Sequence, residues 1–413
     1  MSLSYRLLVL VALYLAQGLP YGFFTQALPV LMREQGYSLK SISATSLLFL
    51  PWLLKFLWAP LVDHWGTRKG WIVPLQFATT LGAAALAFAE PDGSFTLIFA
   101  ALLLFNLFAA MQDVATDGLA VVTLDAQSRG LGNGIQVGAY RLGMILGGGW
   151  LLWVFAKEGW QLMFLSMAGL LLLTSIPVLF MREPTGIAPP LRPSAGVLLL
   201  EWKTRLRLPG MVGFIGLICF YKFGDTMGAS VIGPMLKDGG MSKEEIALLK
   251  GALGSVAGLT GAALGAGYAW RVGRRSALLY CGLLQSASLV LYAAYAFGFG
   301  GYPMLYAACI AEHLLGGMAT VALFTLMMDA AAREHASTDY TLLACAIVLT
   351  MGLASFAGAT VGDAFGYPPL FVLATLISTA GCLTLVRALD LGAGPALLRS
   401  VWPLRRGATL DAA

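Results

Sequence analysis

Residues 59–69 read APLVDHWGTRK: an apolar start at Ala59, Asp63 where the apolar run ends, a lone glycine at Gly66, and two adjacent cations, Arg68 and Lys69. On both sides the chain turns apolar for about 20 residues, over 41–62 before this stretch and 71–89 after it. A helix needs about 20 apolar residues to cross a hydrocarbon core about 30 Å thick. The stretch therefore reads as a tight polar turn between two membrane-spanning helices, with basic residues that anchor at an anionic leaflet.

The pattern repeats along the whole chain. Of 413 residues 58% are hydrophobic and 11% are charged, against about 25% charged in soluble domains. That balance excludes a soluble multidomain enzyme and a disordered chain alike. Twenty-six basic and 21 acidic residues give a net charge of +5, too small and too dispersed for a nucleic-acid surface. Apolar runs predict helices at 5–32, 41–62, 71–89, 95–124, 131–156, 160–181, 210–236, 244–270, 276–299, 303–331, 340–362 and 368–389. The first carries only Arg6 ahead of it and no small-residue cleavage site, so it reads as a retained helix and not a removed leader.

Basic residues orient these spans. With the N-terminus in the cytoplasm, the inside segments hold Arg6, Arg68, Lys69, Arg129, Arg182, Arg192, Lys203, Arg205, Arg207, Arg271, Arg274, Arg275, Arg333, Arg387, Arg399, Arg405 and Arg406. The outside segments hold Arg33, Lys40, Lys157, Lys237, Lys243 and Lys250. This 17-to-6 bias predicts both termini in the cytoplasm. The proline- and arginine-rich break at 182–208 divides the chain into an N-terminal six-helix bundle (1–181), a cytoplasmic linker, a C-terminal bundle (209–390) and a cytoplasmic tail (391–413). Tyr14 and Tyr221 are 207 residues apart, as are Gly66 and Gly273, while Pro29 and Pro234 are 205 apart. A recurring offset of that size predicts two pseudo-symmetric bundles with a central cavity between them. The fold class read here is all-α and integral to the membrane.

Seven ionisable residues fall inside the predicted helices: Lys55, Asp113, Asp117, Arg141, Lys222, Asp225 and Glu312. Unpaired, such a set would cost roughly 20 kcal/mol, so each must face an aqueous cavity or another member of the set. Asn106, Asp113 and Asp117 are spaced by seven and four, which puts them on one helical stripe about 40° wide. Carboxylates at i and i+4 repel when both are ionised, the chemistry of a reversible proton site; permanent pairing with Lys55 and Arg141 is the alternative. Lys222 and Asp225 are three apart and can pair locally. Glu312 is a further proton-coupling candidate, with His313 beside it as a relay or a core residue. Gln17, Tyr21 and Phe24 share a face on the first helix and offer an aromatic surface to a ligand or to the core. Gly18, Pro20 and Gly22 interrupt that helix, and Gly224, Gly228, Gly233 and Pro234 interrupt the seventh, which suits bending around a cavity. Glycines at 143, 147, 148 and 149, and at 251, 254, 258, 261 and 265, recur every three or four residues, the spacing of close helix packing.

Several classes are missing from the sequence. There is no GxxxxGK[ST] loop for ATP, and the glycine-rich RGLGNGIQ (Arg129 to Gln136) reads as a turn. Five scattered cysteines, Cys219, Cys281, Cys309, Cys345 and Cys382, include no CxxC pair and read as small core residues, not as metal ligands or disulfides. His64, His313 and His335 are too dispersed to suggest a catalytic cluster, so no enzymatic activity, metal or cofactor is expected. Energy would come from a gradient: at about 2.3 kcal/mol per charge per 100 mV, one proton per solute supports roughly 40-fold accumulation.

The turn at 59–69 resembles the signature loop of the major facilitator superfamily, with Asp63, Gly66, Arg68 and Lys69 matching and Ala59 in place of its first glycine. AGYAWRVGRR (Ala266 to Arg275) resembles its second copy through Gly273, Arg274 and Arg275, with Trp270 where an aspartate would stand. The resemblance implies a gating role for these seven matching residues and a fold of twelve transmembrane helices in two bundles. LAQGLPYGFF (15–24), LPWLLKFLWAPLVD (50–63), QDVATDGLAV (112–121), GNGIQVGAYRLGM (132–144) and YKFGDTMGASVIGPML (221–236) together resemble the peptide and acetyl-coenzyme A transporter branch that includes muropeptide permeases. The first two runs are also similar to those of the shorter inner-membrane ferri-siderophore permeases of the pyochelin and rhizobactin type. That second likeness implies proton-driven import of a ferric pyochelin-like chelate from periplasm to cytoplasm, by a monomer that works behind an outer-membrane receptor. Lys55, Arg141 and Lys222 would attract the anionic chelate, Gln17, Tyr21, Phe24 and Tyr140 would contact its rings, and Asp113, Asp117, Asp225 and Glu312 would couple protons. Muropeptide import, or export of a small molecule, is the alternative within the same superfamily.

Overall fold

The computed structural model describes residues 2–34, 44–89, 95–183, 194–198 and 200–402. Lys40, Arg192, Arg405 and Arg406, the expected helix start at 41–43, residues 184–193 of the linker and the end of the tail lie outside the described residues. In chain order the α-helices are α1 (Leu3–Gly22), α2 (Leu28–Glu34), α3 (Leu50–Leu54), α4 (Ala59–His64), α5 (Arg68–Leu86), α6 (Phe95–Thr123), α7 (Arg129–Ile145), α8 (Leu151–Leu179), α9 (Ala195–Leu198) and α10 (Glu201–Leu206). They continue as α11 (Met211–Ala229), α12 (Ile232–Asp238), α13 (Lys243–Ile246), α14 (Gly254–Val272), α15 (Arg274–Ala296), α16 (Gly301–Ala330), α17 (Ala336–Phe365) and α18 (Tyr367–Asp390). No strand occurs among the described residues.

Nine helical stretches among the described residues are long and apolar enough to cross a membrane, and the chain is a multi-pass membrane protein. The stretch 129–179 counts as one of the nine but breaks at Gly159, whose φ of 82° and ψ of −175° are not helical. The expected boundary between 131–156 and 160–181 falls there.

The second expected helix, 41–62, is not continuous. It runs as a 3-10 turn (Ala44–Phe49), α3, a second 3-10 turn (Lys55–Leu57) and α4. Pro51 and Pro60 occupy the first turns of α3 and α4, where a missing N–H is harmless but a longer hydrogen-bond ladder cannot pass through. Hydropathy registers the apolar run and not the broken ladder. Three π turns, Phe23–Ala27, Leu146–Trp150 and Ala247–Leu253, lie in or beside the proline- and glycine-interrupted runs.

The chain forms two compact units. The first comprises Met1–Asp125, Gly138–Trp202 and Ala332–Cys345. Its mainly aliphatic core holds a set of ring contacts, with Phe23 edge-on to Phe164 at 5.3 Å and Phe24 edge-on to Phe105 at 6.0 Å. Here α1 meets α7 backbone to backbone. A Cβ on Gly18 would strike the Tyr140 carbonyl, one on Gly143 the Leu15 carbonyl, and one on Gly147 the Leu19 carbonyl. Gly149 faces open space instead and has no such role.

The second unit comprises Ala126–Val137, Lys203–Ala331 and Ala346–Ala413. Tyr292 stacks on Phe371 at 5.3 Å in its core. Gly261 and Gly265 let α14 lie against the backbone of Leu314 and Met318 on α16, while Gly251 again faces open space. Large apolar side chains such as Leu173, Phe180, Val256, Phe356 and Leu376 are exposed, as expected of faces solvated by hydrocarbon.

Candidate functional site

In the first unit α6 carries the expected stripe, and every member has a partner. The Trp52 indole N–H donates to Asn106 Oδ1 at 2.7 Å, and the Asn106 amide donates to the Leu48 carbonyl. That carbonyl would find its 3-10 donor at position 51, which is proline, so Asn106 supplies the missing N–H. The Lys55 ammonium pairs with the Asp113 carboxylate and lies 5.7 Å from the centre of the Trp52 ring, within cation–π range. One turn further along α6, the Tyr14 hydroxyl donates to Asp117 Oδ1 at 3.0 Å. Lys55 is thus paired with Asp113, and the Tyr14 phenol donates to Asp117.

Gln17, one turn from Tyr14, is 1% exposed and neither of its amide atoms has a hydrogen-bond partner. A buried, unsatisfied amide costs about 1–3 kcal/mol. Tyr21 stands beside it in an aromatic cluster with Phe49 at 5.6 Å, Trp52 at 6.0 Å and Tyr140 at 5.5 Å. Tyr21, Tyr140 and Arg141 are half-buried, whereas Phe24 is buried in the core.

In the second unit Lys222 Nζ lies 2.7 Å from Asp225 Oδ2, the local pair expected from their spacing. Asp225 Oδ1 and the Tyr221 hydroxyl are buried without a hydrogen-bond partner. His313 Nδ1 lies 2.6 Å from Glu312 Oε2 and 2.9 Å from the Cys309 carbonyl. Among the described residues no group of His, Cys, Asp and Glu is arranged to hold a metal ion.

The signature turn is held by several side-chain hydrogen bonds. Gly66 has φ 73° and its counterpart Gly273 has φ 81°, a region that L side chains resist, so a glycine of positive φ precedes a helix at both places, 207 residues apart. Asp63 accepts from the Arg68 guanidinium at 3.0 Å, from the Ser337 and Thr338 backbone N–H groups at 3.0 and 2.8 Å, and from the Thr338 hydroxyl at 2.7 Å. Those N–H groups belong to the first turn of α17, where an anion satisfies orphan donors and complements the helix dipole. Lys69 donates to the Leu179 and Met181 carbonyls at 2.6 and 2.8 Å, which caps the end of α8. In the second copy, Arg274 Nε and Arg129 Nη1 bond the two oxygens of Asp329 at 2.6 and 2.8 Å, and Arg275 grips Asp390 with two bonds of 2.8 Å.

Asp329, Asp390, Glu183, Glu201, Ser337 and Thr338 were not anticipated. The first two carried a usable signal: carboxylates at the ends of apolar runs that need cationic partners from the basic turns. The acceptors and donors at 183, 201, 337 and 338 carried none, since each reaches a residue more than a hundred positions away.

The sequence profile of the Major Facilitator Superfamily matches residues 10–338, and the chain belongs to that family. Within it the relatives fall in the muropeptide-permease-like branch. The chain is 30% identical to the anhydromuropeptide permease of Escherichia coli (strain K12) over 389 residues, which cover 92% of this chain and 79% of that one. It is 23% identical to the putative transporter AmpG 4 of Rickettsia conorii over 91% of this chain and 94% of that one. Among solved structures, the proton:xylose symporter XylE has a TM-score of 0.71 at 13% identity over 97% of this chain and all of that one. The bacterial homologue of the iron transporter ferroportin has a TM-score of 0.70 at 15% identity over 93% and 98%. At such identities these two structures establish the fold and no more.

Proposed function

We propose that this transporter is an inner-membrane permease importing an anhydromuropeptide-class solute, a sugar bearing a short peptide, from periplasm to cytoplasm with both termini cytoplasmic. The observation that carries this reading is the 30% identity to the E. coli anhydromuropeptide permease across 92% of the chain. Transport is driven by protons in this reading, with Asp117 as the coupling carboxylate. Asp113 is committed to Lys55, whereas Asp117 has a phenol donor that can serve either protonation state. Gln17, Tyr21 and Tyr140 form the solute-contacting surface of the first unit, since an amide without partners and half-buried phenols suit an amide- and hydroxyl-rich ligand. The unpaired Asp225 Oδ1 and Tyr221 hydroxyl are their counterparts in the second unit.

The runs at 15–24 and 50–63 favour a second reading, import of a ferric siderophore, with Lys55, Arg141 and Lys222 drawing in the anionic chelate. Lys55 and Lys222 already hold aspartates, which weakens that role and supports the first reading. The deciding experiment is uptake into cells that lack their own muropeptide permease and express this chain. They are supplied with radiolabelled anhydromuropeptide or with radio-iron as siderophore complexes, with and without a protonophore. Protonophore-sensitive accumulation of the muropeptide alone supports the proposal; accumulation of iron alone replaces it with the second reading.

A further inference from the structure

Two of the chain's three histidines converge on one carboxylate that neither the signature turn nor the intramembrane charges use. His64 Nε2 lies 3.3 Å from Glu201 Oε2, and His335 Nδ1 lies 2.8 Å from Glu201 Oε1. The rings are 6.1 Å apart. All three side chains are in the first unit and largely buried, at 3%, 21% and 12% exposure for His64, His335 and Glu201.

The three residues come from separate stretches. His64 ends α4, one position after Asp63; Glu201 starts the linker helix α10; His335 immediately precedes α17, whose residues Ser337 and Thr338 bind Asp63. The next linker residue, Trp202, packs edge-on against Phe56 at 5.1 Å.

Ring nitrogen chemistry decides what this arrangement needs. His64 Nδ1 lies 3.0 Å from the Pro60 carbonyl, which can only accept, so Nδ1 carries a hydrogen. A neutral ring would then turn the bare lone pair of Nε2 toward Glu201 Oε2. Oε2 is buried and accepts no hydrogen bond, nor is His335 Nδ1 aligned as a donor despite its 2.8 Å distance. Among the described residues the ion-pair partners of this carboxylate are these two imidazoles. A buried carboxylate against a lone pair is repulsive, and one proton at Nε2 turns the contact into an ion pair.

From this geometry we infer that His64, Glu201 and His335 form a proton-binding clasp that docks the start of the linker helix, Glu201 and Trp202, on the signature turn, and that closing it takes up one proton from the water on that face. The charged and titratable groups of the first unit around it are Asp63 and Arg68 on the turn, Glu183 paired with Arg68, and Arg333, Glu334 and Asp339 around the start of α17. Asp63 and Arg68 pair with each other, and Asp339 accepts from the Ala332 N–H. The clasp is separate from the membrane-embedded carboxylates and does not depend on which solute is carried.

With three histidines in the chain, the test is direct. The full-length protein, labelled with nitrogen-15 in histidine and placed in lipid nanodiscs, gives three ring systems, assigned through His64→Gln, His313→Gln and His335→Gln. At about pH 7, near the ordinary titration range of histidine, the His64 ring is expected to be protonated on both nitrogens. Glu201→Gln is expected to remove the second proton at the same pH, while His335→Gln leaves it. Amide exchange of residues 200–202, corrected for its intrinsic pH dependence, is expected to be slower at about pH 6 than at about pH 8, and this difference is lost in His64→Gln. A singly protonated His64 whose linker is equally protected at both pH values would overturn the proposal. A His64 spectrum unchanged by Glu201→Gln would do the same. If Glu201→Gln does not fold, the wild-type pH series and His64→Gln decide the matter alone.

Discussion

Lys55 and Asp113 form an ion pair in which the two side chains are 6% and 8% exposed. Burying such a pair gains little over a hydrophobic one, but removing one partner strands a charge at a cost of about 3–5 kcal/mol. Lys55→Met and Asp113→Asn are each expected to lower the thermal unfolding midpoint of the detergent-solubilised protein sharply. The double variant Lys55→Met/Asp113→Leu should recover most of that loss. A double variant as unstable as either single one would show that the two residues do not compensate each other.

Tyr14 and Asp117 divide differently between stability and transport. Tyr14→Phe removes one hydrogen bond and is expected to cost about 0.5–1.5 kcal/mol while solute accumulation persists. Asp117→Asn keeps the size and a hydrogen-bonding oxygen but cannot exchange a proton. It is expected to fold and to lose protonophore-sensitive accumulation, as read by labelled solute uptake; accumulation at the wild-type level would remove Asp117 from the coupling.

The crossing of α1 and α7 predicts a contrast between neighbouring glycines. Gly143→Ala drives a methyl group into the Leu15 carbonyl and is expected to destabilise by about 1–3 kcal/mol, the usual cost of overpacking. Gly149→Ala meets nothing and should be neutral or slightly stabilising, because alanine loses less backbone entropy than glycine in a helix. Melting curves of the two purified variants check the pair.

Asp329 is shared by Arg129 and Arg274, so Asp329→Asn leaves two guanidiniums facing an amide. A loss of about 3–5 kcal/mol is expected, larger than that for Ser242→Ala, which removes only an exposed cap hydrogen bond at the start of α13 and should cost about 0.5–2 kcal/mol. Comparable unfolding midpoints for the two variants would contradict the buried network.

The helices were legible because a hydrocarbon solvent imposes a length and a composition on every span, and the break at Gly159 fell between two such runs. Local pairs were legible too. Lys222 and Asp225 are three residues apart, and helix geometry alone brings them within 2.7 Å. The broken helix before the signature turn was missed because Pro51 and Pro60 are apolar and leave the hydropathy signal intact while interrupting the ladder. Asp63 stood out in the sequence, but its acceptance of N–H groups 274 and 275 positions away could not be seen without the fold. The histidines looked scattered at 64 and 335 for the same reason, although they share one carboxylate.

Transport of an anhydromuropeptide coupled to protons is tested most directly with the purified protein in liposomes, by imposing an inward proton gradient and following labelled anhydromuropeptide. Accumulation above the external concentration is expected, collapsing when the gradient is dissipated and absent in Asp117→Asn. Equal, gradient-independent counts in liposomes with and without the protein, from a preparation shown to be folded, would contradict it.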